Sequence, residues 1–519
     1  MNNPSPQQMK RPRRRANPKT IHAICATSAV LCAIAPWATA QTPHVQEVVL
    51  TAQDAVNVAL TNNLDIQISR IQPQVDQLSL GALYGAYDPA LSTRASHSYF
   101  SQPGGIESFD GEVFPIPSTI TRDDNYSAGV AGVMPWGLTY NLSGSLDNEN
   151  ALGAPREYQA DQPGPGISLD QPLLKNFWID NTRYTISVAK NTLKTDEEGY
   201  RLKVMTVVFN VKNAYYQLIS ARENVKVDEE AVALKEQTVS DDKQQVQFGN
   251  MRGLDEKQAE SEAATAKATL QTALGTLRVQ QNALKTLLAR GLSDLDGFTL
   301  IPSEALVAVP EHPQHQECWR TGLEKRPEMI QAKLAIEKRH LTIKYDFNQL
   351  FPQLDVVGTY GHNANENTLD ATLGDIASGN HPYYSYGVTL TVPLGNRTAR
   401  YTYRADRAGL QALVLTAKQE EWTIVTEIDN DVENVEAYLQ NVDLTREARV
   451  YAEQALEAGQ TELKLGKTTQ FQVLQYQDNL TMARSSEITS LVSYNIALEQ
   501  LALDEGATLE RNHIELRFH

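Results

Sequence analysis

The stretch LKLGKTTQ places Gly466, Lys467 and Thr468 in the order found at the end of a phosphate-binding loop. Such a loop works because backbone N–H groups converge on phosphate while Lys and Ser/Thr reach the phosphates and a bound magnesium ion. The spacing argues otherwise. The motif needs four residues between its glycines, whereas Gly459 leaves six before Gly466. The preceding segment LTREARVYAEQALEAGQTELKLG is also charged and helical in pattern, where an apolar strand is required. A glycine that ends a helix in the left-handed conformation explains the same residues with simpler chemistry.

His312, His315 and Cys318 in HPQHQEC have the types and spacing of metal ligands. Pro313 and the surrounding loop composition favour a solvated linker, so no metal and no cofactor are expected. No paired carboxylates, nucleophile elbow or Ser/His/Asp spacing stands out, and an enzyme is not expected.

The elements that carry these residues start after a leader. Lys10, Arg11, Arg13, Arg14, Arg15 and Lys19 precede an apolar run from Ile21 to Ala35, and Ala38-Thr39-Ala40 follows. This is the pattern of a secretory signal peptide cleaved after Ala40. A nucleic-acid-binding arm would leave the apolar run unexplained. Cleavage removes six basic and no acidic residues, making the chain more acidic than its formal charge of −17, which disfavours nucleic acid and anionic headgroups as partners. Only Cys318 remains afterwards, so no internal disulfide forms. No later apolar run is long enough for a membrane-spanning helix. An exported chain of this kind enters a membrane, if at all, through strands.

The chain repeats itself. NNLDIQISRIQPQVDQLSLGALYGAYDPAL aligns with KRPEMIQAKLAIEKRHLTIKYDFNQLFPQL, which sets Asn63 on Arg326 and Pro89 on Pro352. ISLDQPLLKNF aligns with VTLTVPLGNRT, setting Pro172 on Pro393, and FGNMRGLDEKQAE aligns with LGKTTQFQVLQYQ, setting Gly249 on Gly466. Each half reads as helix, strand, loop, strand, long helix, glycine turn, long helix. The expected divisions are a signal peptide over 1–40, a first repeat over 41–290, a linker over 291–325 and a second repeat over 326–519. The first half carries an added hairpin near 126–147, in YSAGVAGVMPWGLTYNLSGSLD.

Two periodicities define the parts. Val204, Val211, Leu218, Val225, Val232, Val239 and Val246 recur every seven residues, the spacing of packed, left-handedly supercoiled helices. Leu270, Leu277 and Leu284 continue it, and Ile428, Val435 and Val442 repeat it in the second half. Tyr384, Tyr386, Val388, Leu390 and Val392 alternate instead with small polar residues, as in a strand with one apolar face. Such strands suit a membrane barrel with a wet interior and equally an ordinary half-buried sheet. Four strands, or six with the added hairpin, are too few to close a barrel in lipid, so a barrel would be shared between chains.

AYDPALS and LFPQLDV entering strands, ISLDQPLLKNF and LTVPLGN leaving them, and the paired glycine turns resemble the TolC-like outer membrane efflux proteins of Gram-negative bacteria. The resemblance covers nearly all of the chain after the leader. It implies a mainly α fold with a small β part, in which long antiparallel coiled-coil helices form a trimeric α-barrel joined to a β-barrel. In the family that barrel has twelve strands, four from each subunit. The implied role is the passive outer-membrane duct of a tripartite efflux or secretion system, working with a periplasmic adaptor and an inner-membrane transporter. The tip turns Gly249, Gly253, Gly466, Lys467, Thr468 and Thr469 would then contact the adaptor. Thr469 and Gln472 have capping-box spacing. Family members often carry acidic residues where Gln472 and Gln475 stand here, while Asp255 keeps a carboxylate. The resemblance therefore implies a polar entrance gate of Arg252, Asp255, Gln472 and Gln475, with helix capping as the competing role. Pro89, Pro172, Pro352 and Pro393 mark helix–strand turns. Trp136, Phe177, Trp178, Tyr383 and Tyr384 flank strands as membrane-interface aromatics would. The rival reading is a secreted or periplasmic coiled-coil scaffold, which has no use for duplicated, proline-bounded alternating strands.

Overall fold

The computed structural model describes residues 46–151, 157–160, 164–249, 251–291 and 298–516. The expected signal peptide and cleavage site lie outside them.

The first half runs β1 (Gln46–Leu50), α1 (Ala52–Asn62), α2 (Leu64–Tyr84), β2 (Ala90–Gln102), β3 (Gly105–Phe109), β4 (Glu112–Ile116), β5 (Thr119–Val133), β6 (Thr139–Ala151), β7 (Glu157–Ala160), β8 (Gly166–Pro172), α3 (Asn181–Gln247) and α4 (Gly253–Leu288). The second runs β9 (Phe298–Pro302), α5 (His315–Lys325), α6 (Pro327–Asn348), β10 (Gln353–His362), β11 (Ala364–Glu366), α7 (Leu369–Ser378), β12 (Pro382–Thr391), α8 (Arg397–Lys464), α9 (Gln470–Asp504) and α10 (Thr508–Arg511). The stretch read as a linker, 291–325, is partly ordered into elements. It holds β9, which pairs in parallel with β1, and α5, which packs on α8.

Helices α3 and α8 have 67 and 68 residues, so each extends about 100 Å at the helical rise. Most of the stability of such a helix comes from packing its apolar face against neighbours, and the heptad residues supply that face. Val204, Val211, Leu218 and Val225 are buried on α3, and Ile428, Val435 and Val442 on α8. Toward the sheet the helices lie side by side in the order α2, α3, α6, α8; toward the tips the order is α4, α3, α9, α8. Each short helix thus stands on the end of a returning one. Asn63 Nδ2 donates to the Leu287 carbonyl at the end of α4, 3.1 Å away, and Arg326 reaches Asp504 at the end of α9.

Six strands form one continuous wall in the order β2-β5-β6-β8-β10-β12, every neighbour antiparallel. The family's four-strand pattern does not hold for this chain, because the added hairpin β5–β6 is inserted between β2 and β8 as part of the sheet. Its turn is closed by Met134 N–H donating to the Leu138 carbonyl and has Gly137 at φ +92°. A side chain at Gly137 would press on the Arg183 guanidinium, so the turn sits tightly against the start of α3.

Register fixes which residues share a face. Val130 opposes Leu91 on one side and Leu142 on the other, Leu142 opposes Ile167, Ile167 opposes Tyr360, and Tyr360 opposes Tyr384. One face is therefore apolar across all six strands. The intervening residues, among them Ser92, Ser143, Ser168, Thr359 and Ser385, give the opposite face a polar surface. The ten residues of β10 and of β12 span about 33 Å.

Candidate functional site

At the tips, the geometry of Gly466 settles the question raised by LKLGKTTQ. Gly466 has φ +72°, and Gly249 at the other tip has φ +75°. Empty space surrounds the position a Cβ would take at either, so conformation alone requires glycine there. Gly466 N–H donates to the Leu463 carbonyl and Lys467 N–H to the Glu462 carbonyl, at 3.0 and 2.9 Å. This pair of bonds is a Schellman closure of α8. The two amides that a phosphate would need are already used. Lys467 is exposed. Thr469 then caps α9, its hydroxyl accepting from Gln472 N–H at 3.3 Å. The Gln472 side chain takes no part in that cap, so only half of the expected capping box is formed.

The first tip is built differently. Arg252 is the N-cap of α4 without a side-chain capping bond, and Gly253 is the first helical residue. Arg252 Nε lies 3.4 Å from Asp255 Oδ2, and Gln475 Nε2 donates to Asn479 at 3.4 Å. Arg252 and Asp255 thus pair with each other, Gln475 bonds Asn479, and Gln472 bonds Thr469 through its backbone N–H, so among the described residues no hydrogen bond or ion pair joins the candidates of one tip to those of the other. The polar contacts that do join the two helical hairpins lie farther from the tips. Lys235 of α3, only 5% exposed, is held between Glu262 of α4 at 3.0 Å and Asp478 of α9. Gln477 of α9 donates to Thr238 of α3 at 3.2 Å, and Arg484 of α9 pairs with Glu230 of α3 at 2.6 Å. Sequence reading missed these residues, because a lysine inside a charged helix gives no sign that a third helix will bury it. Asp242, 3% exposed, is also near the first tip; burial, then the neighbouring Asp241, Asp255 and Glu256, push its carboxyl up to about 6.

The metal-like trio is dispersed among other partners. His315 Nδ1 is 2.6 Å from Asp429 Oδ1, which also accepts from the Trp319 indole at 3.2 Å. Cys318 is buried beside Glu505, and desolvation with that carboxylate raises its thiol to about 12. No cluster of three or more metal-ligating side chains occurs among the described residues.

Between helices and sheet, Pro89 immediately precedes β2 and Pro352 immediately precedes β10, while Pro172 ends β8 and Pro393 follows β12. An asparagine web ties this joint. Asn348, 2% exposed, accepts from Asn176 N–H at 2.6 Å and donates to the Leu174 carbonyl at 3.2 Å, while Gln349 donates to Asn176 Oδ1 at 3.0 Å. Trp136 in the hairpin turn, together with Phe177 and Trp178, lies at this end of the sheet, and all three are exposed. Tyr384 lies at the opposite end on the apolar face. Tyr383 points to the other face, because adjacent strand residues alternate. Its ring covers Gly361, and its hydroxyl donates to the Gly164 carbonyl at 3.0 Å. No described helix is long and apolar enough to cross a membrane.

Solved structures share this architecture. The CmeC outer membrane channel of Campylobacter jejuni superposes with a TM-score of 0.64 at 16% identity, covering 88% of this chain and 86% of that one. VceC of Vibrio cholerae gives 0.62 at 15% identity, covering 88% and 96%. The open state of the Neisseria gonorrhoeae MtrE outer membrane channel gives 0.60 at 15% identity, covering 88% and 89%. No curated protein matches the chain in sequence. The profile described as outer membrane efflux protein matches residues 122–290 and 320–504. Those segments take in most of the six-strand wall and both long helical hairpins, and on that match the chain belongs to the outer membrane efflux protein family.

Proposed function

We propose that this chain, after cleavage behind Ala40, assembles as a homotrimeric outer-membrane duct whose helices extend through the periplasm toward an adaptor and an inner-membrane transporter. Transport through it is passive, with energy supplied by the transporter, and the chain performs no catalysis. The repeats over 41–290 and 326–519 each give one helical hairpin and one portion of the wall.

The observation that carries this reading is that one chain leaves both layers open at both sides. The six-strand wall ends on β2 and β12, whose outer edges have no partner strand among the described residues, while β7 and β11 pair on beyond the far end of β6. An unpaired edge cannot rest in hydrocarbon, because each free N–H and C=O there costs several kcal/mol. The helical row ends on α2 and α8, and each presents an exposed apolar seam. On α2 the seam is Leu64, Ile68, Ile71, Val75 and Leu78, with the alternating spacing of a coiled-coil edge. On α8 it is Tyr401, Leu415 and Trp422. Copies arranged in a ring close the wall and the helical row together.

The tip residues Gly249, Gly253, Gly466, Lys467, Thr468 and Thr469 form the adaptor-facing end in this reading. Arg252, Asp255, Gln472 and Gln475 line the entrance around the ring, where pairs that are local in one chain face those of its neighbours. Trp136, Phe177, Trp178 and Tyr384 occupy the two membrane interfaces.

The test is membrane fractionation of the mature protein, its mass in detergent, and planar-bilayer recording. Outer-membrane location, a three-copy mass and discrete current steps are expected. A folded, water-soluble monomer that never inserts into bilayers would remove the reading.

A further inference from the structure

From the order of the six strands we infer that the outer-membrane barrel is eighteen-stranded, half as many strands again as four per subunit supply, with β5 and β6 as lipid-facing wall. The count rests on the trimer proposed above; the place of β5 and β6 in the wall does not.

Three observations place the hairpin in the membrane wall instead of over its mouth. Strand β5 pairs along β2 for thirteen residues and along β6 for thirteen, and β6 pairs onward to β8. Its turn points toward the helices, with Gly137 against Arg183; a flap over the mouth would turn at the other end. The hairpin also shares the faces of its neighbours. Tyr126, Ala128 and Val130 continue the apolar side, and Asn125, Ser127 and Gly129 the polar side.

Above that band the apolar face changes character. His97 Nδ1 is 2.6 Å from Asp124 Oδ1, Asn148 donates to Asp124 Oδ2 at 3.3 Å, and Arg122 lies 5.8 Å from the centre of the Tyr99 ring. These charged and polar contacts mark where the longer strands leave hydrocarbon, so the hydrophobic part of β5 matches the height of β10 and β12.

Width follows from strand number. With strands about 4.8 Å apart and tilted about 40°, eighteen make a barrel roughly 36 Å across its backbone and twelve one of roughly 24 Å. The polar face of the hairpin carries small side chains such as Ser127, Gly129, Ser143 and Ser145, which leave that added width to water. The outer-membrane segment is thus a wide vestibule, and size selection falls to the helical tips.

Single cysteines placed along β5 in a Cys318→Ala background, in reconstituted vesicles, test this. Tyr126→Cys, Ala128→Cys and Val130→Cys labelled with a fluorophore should lose emission to brominated lipid. Asn125→Cys and Ser127→Cys should keep it and react with a charged aqueous thiol reagent. The same labelling along β12, Tyr386→Cys against Ser385→Cys, reports whether the sheet itself is inserted. Aqueous reactivity along the whole of β5 with normal alternation along β12 overturns the hairpin's place in the wall. A detergent mass other than three copies overturns the count of eighteen and the trimer while leaving six strands per subunit. Loss of alternation on β12 as well overturns the membrane reading together with this one.

Discussion

Asn63 and Arg326 occupy the same joint in the two halves of the chain and hold it with different chemistry. Each ends one helix and starts the next, with φ −60° and ψ 125° at Asn63 and φ −66° and ψ 125° at Arg326. Asn63 caps α2 through its own side chain and bonds the last turn of α4. Arg326 has no such cap and instead gathers Glu328, Glu427 and Asp504 at 3.3, 2.6 and 3.5 Å.

Arg326→Met should therefore cost about 3 kcal/mol near neutral pH, because it strands several part-buried carboxylates without their cation. The loss is read as a drop in melting temperature by thermal unfolding in detergent. An unchanged melting temperature would contradict this account.

The same cluster gives the stability a pH dependence of definite sign. Burial, then the facing Asp504 carboxyl, push Asp431 up from 3.8 to about 8. Between those values the folded chain holds a proton that the unfolded chain has released, so stability falls as pH rises through the window. Asp431→Asn should melt higher than wild type at pH 8 and nearly with it at pH 4, as read by thermal unfolding in detergent. A constant offset across that range would mean the carboxyl does not titrate there.

Gly466→Ala should destabilise by about 1 kcal/mol, since a Cβ is disfavoured at a left-handed φ. Gly253→Ala is the control: Gly253 is the first helical residue of α4 and has no positive φ, so the change should be neutral or slightly stabilising. Equal effects of the two on melting temperature would show that flexibility, and not the sign of φ, is what the tip requires.

Releasing Lys235 should loosen the tips. Lys235→Met removes one of the polar ties between α3 and α9 at modest cost, about 1 kcal/mol, because Glu262 and Asp478 keep partial access to water. Single-channel current should rise, and alanine at Arg252, Asp255, Gln472 or Gln475 should change it as well. Wild-type current in all five variants would take the entrance away from the tips.

What the sequence determined by itself was everything governed by local period and local backbone preference. Heptad apolar residues defined the long helices, the alternation from Tyr384 to Val392 defined a strand with one apolar face, and Gly249 and Gly466 marked the turns. Those signals are written in neighbouring residues. Only the tertiary structure decided which strands pair, and so placed β5 and β6 inside the wall; strand order depends on contacts between segments that share no sequence pattern. It also separated Tyr383 from Tyr384, because the register of β12 against β10 sets which face each one meets. Lys235 became a buried cation, and Arg326 and Asp431 part-buried groups, for the same reason. Their surroundings come from helices far away in the chain, and no local spacing encodes them.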